Sequence, residues 1–324
     1  MRRALITGGA GFLGSTLADR LLDDGVEVAI LDDFRTGRQE FIADALERGA
    51  DLFDGDVLDE DLLESAIAGA DIVFHLQANA DVRRGLEHPR KDLRENAIAT
   101  SNVLEAMRAA GVHRIAFSST GSVYGEPDVS PTPETAPFPV QTSLYGASKV
   151  AAEGLISAYV HGFGFSATVF RLVSLLGERY THGHVIDFYR ALRRDPTRLR
   201  VLGDGRQEKS YLYVKDCIEA MVMATEHQGE APGLGVYNLG TDATVVVDES
   251  VALITAHLGV NPTIEKAGGR RGWAGDSPLI KLDISKIRAL GWTPTLSIPE
   301  AIGRTLDWLD SEPAIALPSE TVAS

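Results

Sequence analysis

The run TGGAGFLG at residues 7–14 constrains this chain more than any other stretch. It follows the apolar Ala4, Leu5 and Ile6 and opens a segment in which Phe12, Leu13, Leu17, Leu21 and Leu22 recur at helical spacing. The pattern reads as a strand, a tight turn and a helix N-terminus, which together make a pyrophosphate site. Gly8 permits the turn, Gly11 lets backbone amides approach the anion, and Gly14 lets the helix lie close on the strand with its partial positive charge facing the phosphates. A second apolar strand, residues 26–31, ends in Asp32, where a carboxylate accepts both ribose hydroxyls of an adenosine and repels a 2'-phosphate. NAD is therefore expected rather than NADP. Arg35 and Arg38, in the next loop, either blur that preference or are plain solvated charges.

Alternation of strand and helix continues through residue 172. Helices are expected over 39–48, over 59–68 with Asp59 as cap, over 89–110 with Leu93, Ile98, Val103, Leu104 and Met107 on the apolar side, and over 145–161. Strands are expected over 51–53, 71–76, 114–118 and 166–172. This rhythm predicts an α/β fold with a doubly wound parallel sheet, its chemistry along the strands' C-terminal edge. The expected division is an NAD-binding Rossmann domain over 1–174, with 209–242 returning to it, a smaller α/β substrate-binding lobe over 175–312, and a loose tail over 313–324.

Charge and cysteine content narrow the partners. Thirty-one basic against 46 acidic side chains, a formal charge of −15, argue against a nucleic-acid or anionic-membrane surface. Cys217 stands alone, which excludes an internal disulfide framework and fits a reducing compartment; a small buried apolar role is expected of it. The opening MRRALITGG is too short in apolar residues for an export signal, and no run approaches the roughly 18 residues of a membrane span. A cytoplasmic protein is the expectation.

The chemistry is carried by SSTGSVYG at 118–125 and YGASK at 145–149. The first sits at a strand end, on the ligand edge. In the second, Tyr145 and Lys149 lie four apart on one helix face, where an ammonium favours a phenolate and Lys149 can also bond a nicotinamide ribose. Thr120 would hold a substrate hydroxyl in line with the phenol. Alone, Tyr-x-x-x-Lys is equally a surface pair; the glycine turn, Asp32 and a hydroxyl-rich strand end in the right order favour the catalytic reading. His182 and His184 flank Gly183 and line a loop rather than complete a metal site. His75 reads as a core histidine, Arg193 and Arg194 as a solvated helix face, and Trp273 as a stacking or a core ring.

These motifs resemble the extended short-chain dehydrogenase/reductase family, in particular nucleotide-diphosphate-sugar epimerases of the UDP-glucose 4-epimerase type, over nearly the whole chain. The resemblance implies that Gly8, Gly11 and Gly14, with Phe12 and Leu13, form the phosphate turn, and that Asp32, Asp33 and Arg35 surround the ribose. It implies adenine contacts from Asp56 and Val57, and a cofactor wall from Leu76, Gln77, Ala78, Asn96 and Ser118. Thr120, Tyr145 and Lys149 match its catalytic set. Ser119, Ser174, His184 and Val185 fall at substrate positions, and Lys209 and Arg271 where diphosphate-binding arginines stand. Arg179 aligns with an arginine that binds the sugar carboxylate in uronic-acid epimerases, with a structural salt bridge as the alternative. Ser174 replaces a common asparagine, Gln77 replaces a small residue, and RRGWAGD is longer than usual, so the sugar is the open question. Related dehydratases and decarboxylases carry an acidic residue directly before VYG; here Ser122 stands there, behind Gly121. Epimerisation at C4 of a nucleotide-diphosphate sugar, with catalytic NAD, is the reading that follows. A non-catalytic dinucleotide-binding regulator is the alternative from another class. The resemblance also implies a homodimer through two exposed helices.

Overall fold

A computed structural model describes residues 1–79, 85–138, 140–269, 271–272 and 279–317. The chain runs β1 (Arg3–Thr7), α1 (Phe12–Asp23), β2 (Glu27–Asp32), α2 (Gln39–Glu47), β3 (Asp51–Asp54), α3 (Glu60–Ile67) and β4 (Ile72–His75). Then follow α4 (Pro89–Asp92), a π-helical turn (Leu93–Ile98), α5 (Ala99–Ala110), β5 (Arg114–Thr120), a 3₁₀ turn (Gly121–Tyr124), α6 (Leu144–Phe163) and β6 (Ser166–Leu172). The remainder is β7 (Ser174–Leu176), α7 (His184–Arg194), β8 (Arg198–Val201), β9 (Glu208–Lys209), β10 (Tyr211–Tyr213), α8 (Val214–Gln228), β11 (Gly233–Leu239) and β12 (Val245–Val246). It closes with α9 (Val247–Leu258), β13 (Thr263–Lys266), β14 (Leu279–Ile280), α10 (Ser285–Arg288), α11 (Ile298–Ser311) and α12 (Pro313–Ala316).

Seven strands make one parallel sheet in the order β3-β2-β1-β4-β5-β6-β11. Its strands are apolar without alternation because helices cover both faces: Ala4, Leu5 and Ile6 of β1 are wholly buried. Ile6, Ile30 and Phe74 pack with Leu17 and Leu21 of α1 and Met221 of α8 on one face. Leu5, Leu31 and Val73 pack with Val103 and Leu104 of α5 and Ile156 of α6 on the other. Strand order reverses between β1 and β4, so the glycine turn after β1 and the segment after β4 flank the crevice where such sheets bind ligands. A third core, including Leu176, Tyr189, Leu199, Ile254 and Leu306, holds most of the chain beyond β6, while β11 returns to the main sheet.

Two expectations need correction. The helix foreseen over 89–110 is broken by the π turn, and Leu93 and Ile98 are 54% and 45% exposed while Asn96 is buried. One extra residue in a turn rotates the following side chains by about 100°, which a 3.6-residue pattern cannot foresee. The tail, expected to be loose, begins with α12, whose Ile315 and Ala316 are buried and whose carbonyls accept from Arg190 on α7. The rest of it, residues 318–324, lies outside the described residues. Among the described residues, no helix is long and apolar enough to cross a membrane.

Candidate active site

The C-terminal end of β5 and the first turns of α6 meet on the crevice side of the sheet. Ser143 caps α6, its hydroxyl accepting from the Gly146 amide at 3.0 Å, which fixes where the helix starts and so where Tyr145 and Lys149 stand. Lys149 is 1% exposed; its ammonium donates to the Ser118 carbonyl at 2.9 Å and lies 4.6 Å from the centre of the Phe117 ring. Burial drives its pKa down to about 7, against the pull of the Glu153 carboxylate. The Thr120 hydroxyl donates to Ser122 Oγ at 3.2 Å and acts on the Tyr145 phenol. Thr120 also receives the Ser122 amide at 3.1 Å and so caps the 3₁₀ turn, which leaves Gly121 and Ser122 at the strand end.

Tyr145 departs from expectation in one respect. Its pKa is pushed up to about 12, by burial first and by the charge of Asp92 as well, with only Thr120 opposing. The ammonium of Lys149, on the same helix face, donates to the Ser118 carbonyl. Behind Tyr145, Asn96 Nδ2 donates to Ser148 Oγ at 2.8 Å, and Ser148 donates to the Tyr145 carbonyl at 2.8 Å. Asn96 Oδ1 accepts from the Asn79 amide at 2.8 Å, and Asn79 Nδ2 donates to Asp92 at 2.8 Å. The π turn is thus what carries Asn96 inward, onto the base of the catalytic helix.

The glycine turn fits a dinucleotide. Gly8 has φ +71°, and a Cβ there would meet the Gln77 backbone at 2.8 Å; at Gly14 it would meet the Gly8 carbonyl oxygen at 2.2 Å, and at Gly11 the same oxygen at 3.2 Å. Bare backbone lets the turn close against Gln77 and bring the N-terminus of α1 to face an anion. Asp32 is 8% exposed; Oδ2 accepts from the Ala10 amide at 2.9 Å and Oδ1 from the Phe34 amide at 2.9 Å. A carboxylate has about four acceptor sites, so two remain for ribose hydroxyls. Arg35 pairs with Asp33, with Asp56 at 2.8 Å and with Glu95 at 3.0 Å, so its charge is taken up by three carboxylates. Val57 is 3% exposed within the core, leaving only its backbone for an adenine. Phe12 packs edge-on against Tyr180 at 5.8 Å, Leu13 and Leu76 are half-buried against the core, and Ala78 and Gln77 are partly exposed.

On the substrate side the expected residues separate. Ser119 turns away from Thr120, as strand alternation requires, and its hydroxyl donates to Glu153. Val185 is wholly buried in the smaller lobe's core, so its side chain does not reach a ligand. Arg179 pairs with Asp19 of α1 at 2.8 Å, the salt-bridge alternative, and with Tyr180 it docks the lobe on the glycine-turn helix. His184 Nδ1 lies 3.2 Å from the Tyr211 hydroxyl, and burial beside the Lys209 charge lowers its pKa to about 4. Ser174 is exposed in register with Tyr211, and Arg271 pairs with Glu126, two residues past Tyr124. Trp273 and most of the RRGWAGD stretch lie outside the described residues. His75 is wholly buried between Thr7 Oγ1 at 2.7 Å and Thr100 Oγ1 at 3.1 Å, Arg193 pairs with Asp310, and Cys217 is buried with its thiol pushed up.

Sequence reasoning missed Asn79, Asp92, Ser148, Glu153 and Arg171, all buried around the catalytic helix. Glu153 had a signal: it continues the four-residue step from Tyr145 through Lys149.

Known proteins share this arrangement. The UDP-glucose 4-epimerase of Mycolicibacterium smegmatis is 34% identical over 316 residues, covering 94% of this chain and 98% of that protein. A crystal structure of a UDP-galactose 4-epimerase superposes with a TM-score of 0.84 at 38% identity, over 96% of this chain and 99% of that one. The Thermus thermophilus UDP-glucose 4-epimerase, solved in complex with NAD, gives 0.83 at 33% identity, over 95% and 99%. The model of the NAD dependent epimerase/dehydratase family matches residues 4–240, from β1 through β11, which span both the glycine turn and the Tyr145–Lys149 helix. A glycine turn after β1 and a hydroxyl, a phenol and a buried amine where the end of β5 meets α6 therefore have one family context: the chain belongs to the NAD dependent epimerase/dehydratase family.

Proposed function

We propose that this protein interconverts C4 epimers of a UDP-hexose. The single observation that carries the reading is Tyr145 one helical turn before the buried Lys149, whose ammonium donates to Ser118 next to the end of β5, where Thr120, Gly121 and Ser122 stand and no carboxylate does. Bound NAD would supply a hydride acceptor that carries a positive charge in its oxidised form. Gly8, Gly11 and Gly14 would cradle its pyrophosphate and Asp32 its adenosine ribose, with Arg35 engaged by three carboxylates and so a poor receptor for a 2'-phosphate. Tyr145 would take the proton of the C4 hydroxyl and give it back to the same oxygen once the hydrogen on C4 has returned on the other face of the sugar. Thr120 orients that hydroxyl, and Lys149 steadies the phenolate and the nicotinamide ribose. Lys209 and Arg271 are assigned to the diphosphate, and Ser174 and His184 to the sugar side. Elimination of water would need an acid and a base near C5 and C6, for which Gly121 and Ser122 offer none. The Arg179–Asp19 pair supports a neutral hexose over a uronic acid, because that guanidinium is already matched.

Incubation with UDP-glucose or UDP-galactose in deuterium oxide, followed by proton NMR, tests the proposal. The expected result is an equilibrium mixture of the two sugars with no deuterium in the ring. Deuterium at C5 or loss of the C6 oxygen would overturn it, as would release of carbon dioxide from UDP-glucuronic acid supplied in their place. Pairing of two copies is part of the same reading and is supported by the exposed Leu93 and Ile98; sedimentation equilibrium at the mass of one chain would contradict it.

A further inference from the structure

One turn beyond Lys149, α6 carries a second buried charge. Glu153 is 6% exposed and shares the helix face of Tyr145 and Lys149. Arg171 of β6, 5% exposed, grips it with both ends of its fork: Nε lies 3.2 Å from each carboxylate oxygen and Nη2 lies 2.7 Å from Oε2. The third guanidinium nitrogen donates to the Tyr124 hydroxyl at 2.7 Å and to the Glu134 carbonyl at 3.1 Å. Tyr124 donates onward to Asn238 at 2.9 Å. The Ser119 hydroxyl also donates to Glu153. Ser119 lies between Ser118, whose carbonyl receives Lys149, and Thr120, which acts on the Tyr145 phenol. One ion pair therefore ties the middle of the β5 terminus to the helix that carries the phenol and the amine. A buried pair of this kind adds little stability over apolar residues of similar volume, so its geometry points to a different use.

We infer that Glu153 is a positioning residue of the reaction: paired with Arg171 and bonded to Ser119, it seats residues 118–120 against α6 and sets a carboxylate on the helix face of Lys149. This rests on the reading of Tyr145 and Lys149 given above. Among the described residues, the charged and titratable groups around Lys149 are few. Glu153 and Tyr145 share its helix, and Arg171 stands behind Glu153 on β6. His75 on β4 is held neutral, its pKa lowered to about 3 by burial and by the charge of Lys149, and Asp92 of α4 bears on Tyr145. Burial alone would strip the proton from Lys149, and Glu153 is the charge that opposes it. Glutamine at 153 removes that opposition and leaves the Arg171 cation unmatched.

The test is an NMR titration of protein labelled with ε-¹³C-lysine, without substrate, with the Lys149 resonance assigned by its loss in Lys149→Met. In Glu153→Gln the Lys149 midpoint should fall by about one pH unit or more, the size of a lost neighbouring opposite charge. Glu153→Asp, which keeps the charge, should restore most of it. In turnover, the loss of kcat on raising pH should move to lower pH in Glu153→Gln, with KM changed less. If Glu153→Gln does not fold, Glu153→Gln/Arg171→Met, free of the stranded guanidinium, should show a smaller shift in the same direction. An unchanged Lys149 midpoint in the glutamine variants, or an aspartate variant shifted as far as glutamine, would overturn the inference. A normal shift in a wild type that epimerises no UDP-sugar would instead overturn the function and leave the Glu153–Lys149 coupling standing.

Discussion

Replacing Lys149 by methionine should stabilise the protein below neutral pH while abolishing its activity. The side chain is 1% exposed, and burial lowers its pKa from 10.5 to about 7. At roughly 1.4 kcal/mol per pH unit, that drop corresponds to about 5 kcal/mol of native-state cost for carrying the ammonium. Methionine fills a similar volume but leaves the Ser118 carbonyl without its 2.9 Å donor, and an unmade buried bond costs about 1–3 kcal/mol. The net gain is about 2–4 kcal/mol below pH 7. Between pH 7 and 10.5 the unfolded chain holds a proton that the native chain has lost, so wild-type stability climbs with pH through that window. The methionine variant lacks this climb. Its advantage should therefore shrink by about 3 kcal/mol between pH 6 and pH 9, measured by urea unfolding of both proteins at each pH. An advantage of equal size at both pH values, or a variant less stable by the same amount at both, would refute the buried-ammonium reasoning.

Tyr145→Phe removes the proton acceptor and little volume, so turnover should fall by about 10²- to 10⁴-fold with NAD still bound; a variant retaining more than a few per cent of wild-type rate would remove Tyr145 as the base. Asp32→Ala should weaken NAD far more than NADP, read by titration calorimetry, since it deletes the ribose acceptor and the charge that repels a 2'-phosphate; a wild type that already prefers NADP would contradict this. Arg179→Ala should leave the KM for UDP-glucose nearly unchanged and cost about 1 kcal/mol or less in stability, because both partners of the Arg179–Asp19 pair keep some contact with solvent. A sharp rise in KM would place Arg179 on the substrate instead.

The sheet was legible because its signal is local and repeated. Strand β6 falls on the expected residues 166–172, and α3 starts behind Asp59, whose carboxylate accepts from the Leu62 amide at 3.1 Å. The glycine turn, Asp32, and Thr120 with Tyr145 and Lys149 lie at or beside strand ends on one edge of a parallel sheet, a placement that follows from its connectivity. The π turn was hidden because its cause is tertiary: it delivers Asn96 to Ser148 on another helix. Ser119 could have been excluded by alternation, since residues 118 and 120 flank it on the opposite side of the strand. Val185 could not, because its burial depends on a lobe core assembled from α7, α9 and α11. Arg179 needed Asp19, which lies 160 positions away in the chain. Tyr145 shows the same limit in electrostatics. Four-residue spacing brings it near Lys149, but the Ser118 carbonyl, on another element, decides where the ammonium points.

The most direct measurement follows UDP-galactose deuterated at C4. If the hydrogen leaves that carbon and returns to the same carbon on its other face, UDP-glucose should form with the deuterium retained at C4, and Tyr145→Phe should stop its formation. Product in which C4 carries hydrogen from solvent, or label transferred to C5 or C6, would contradict epimerisation through this site.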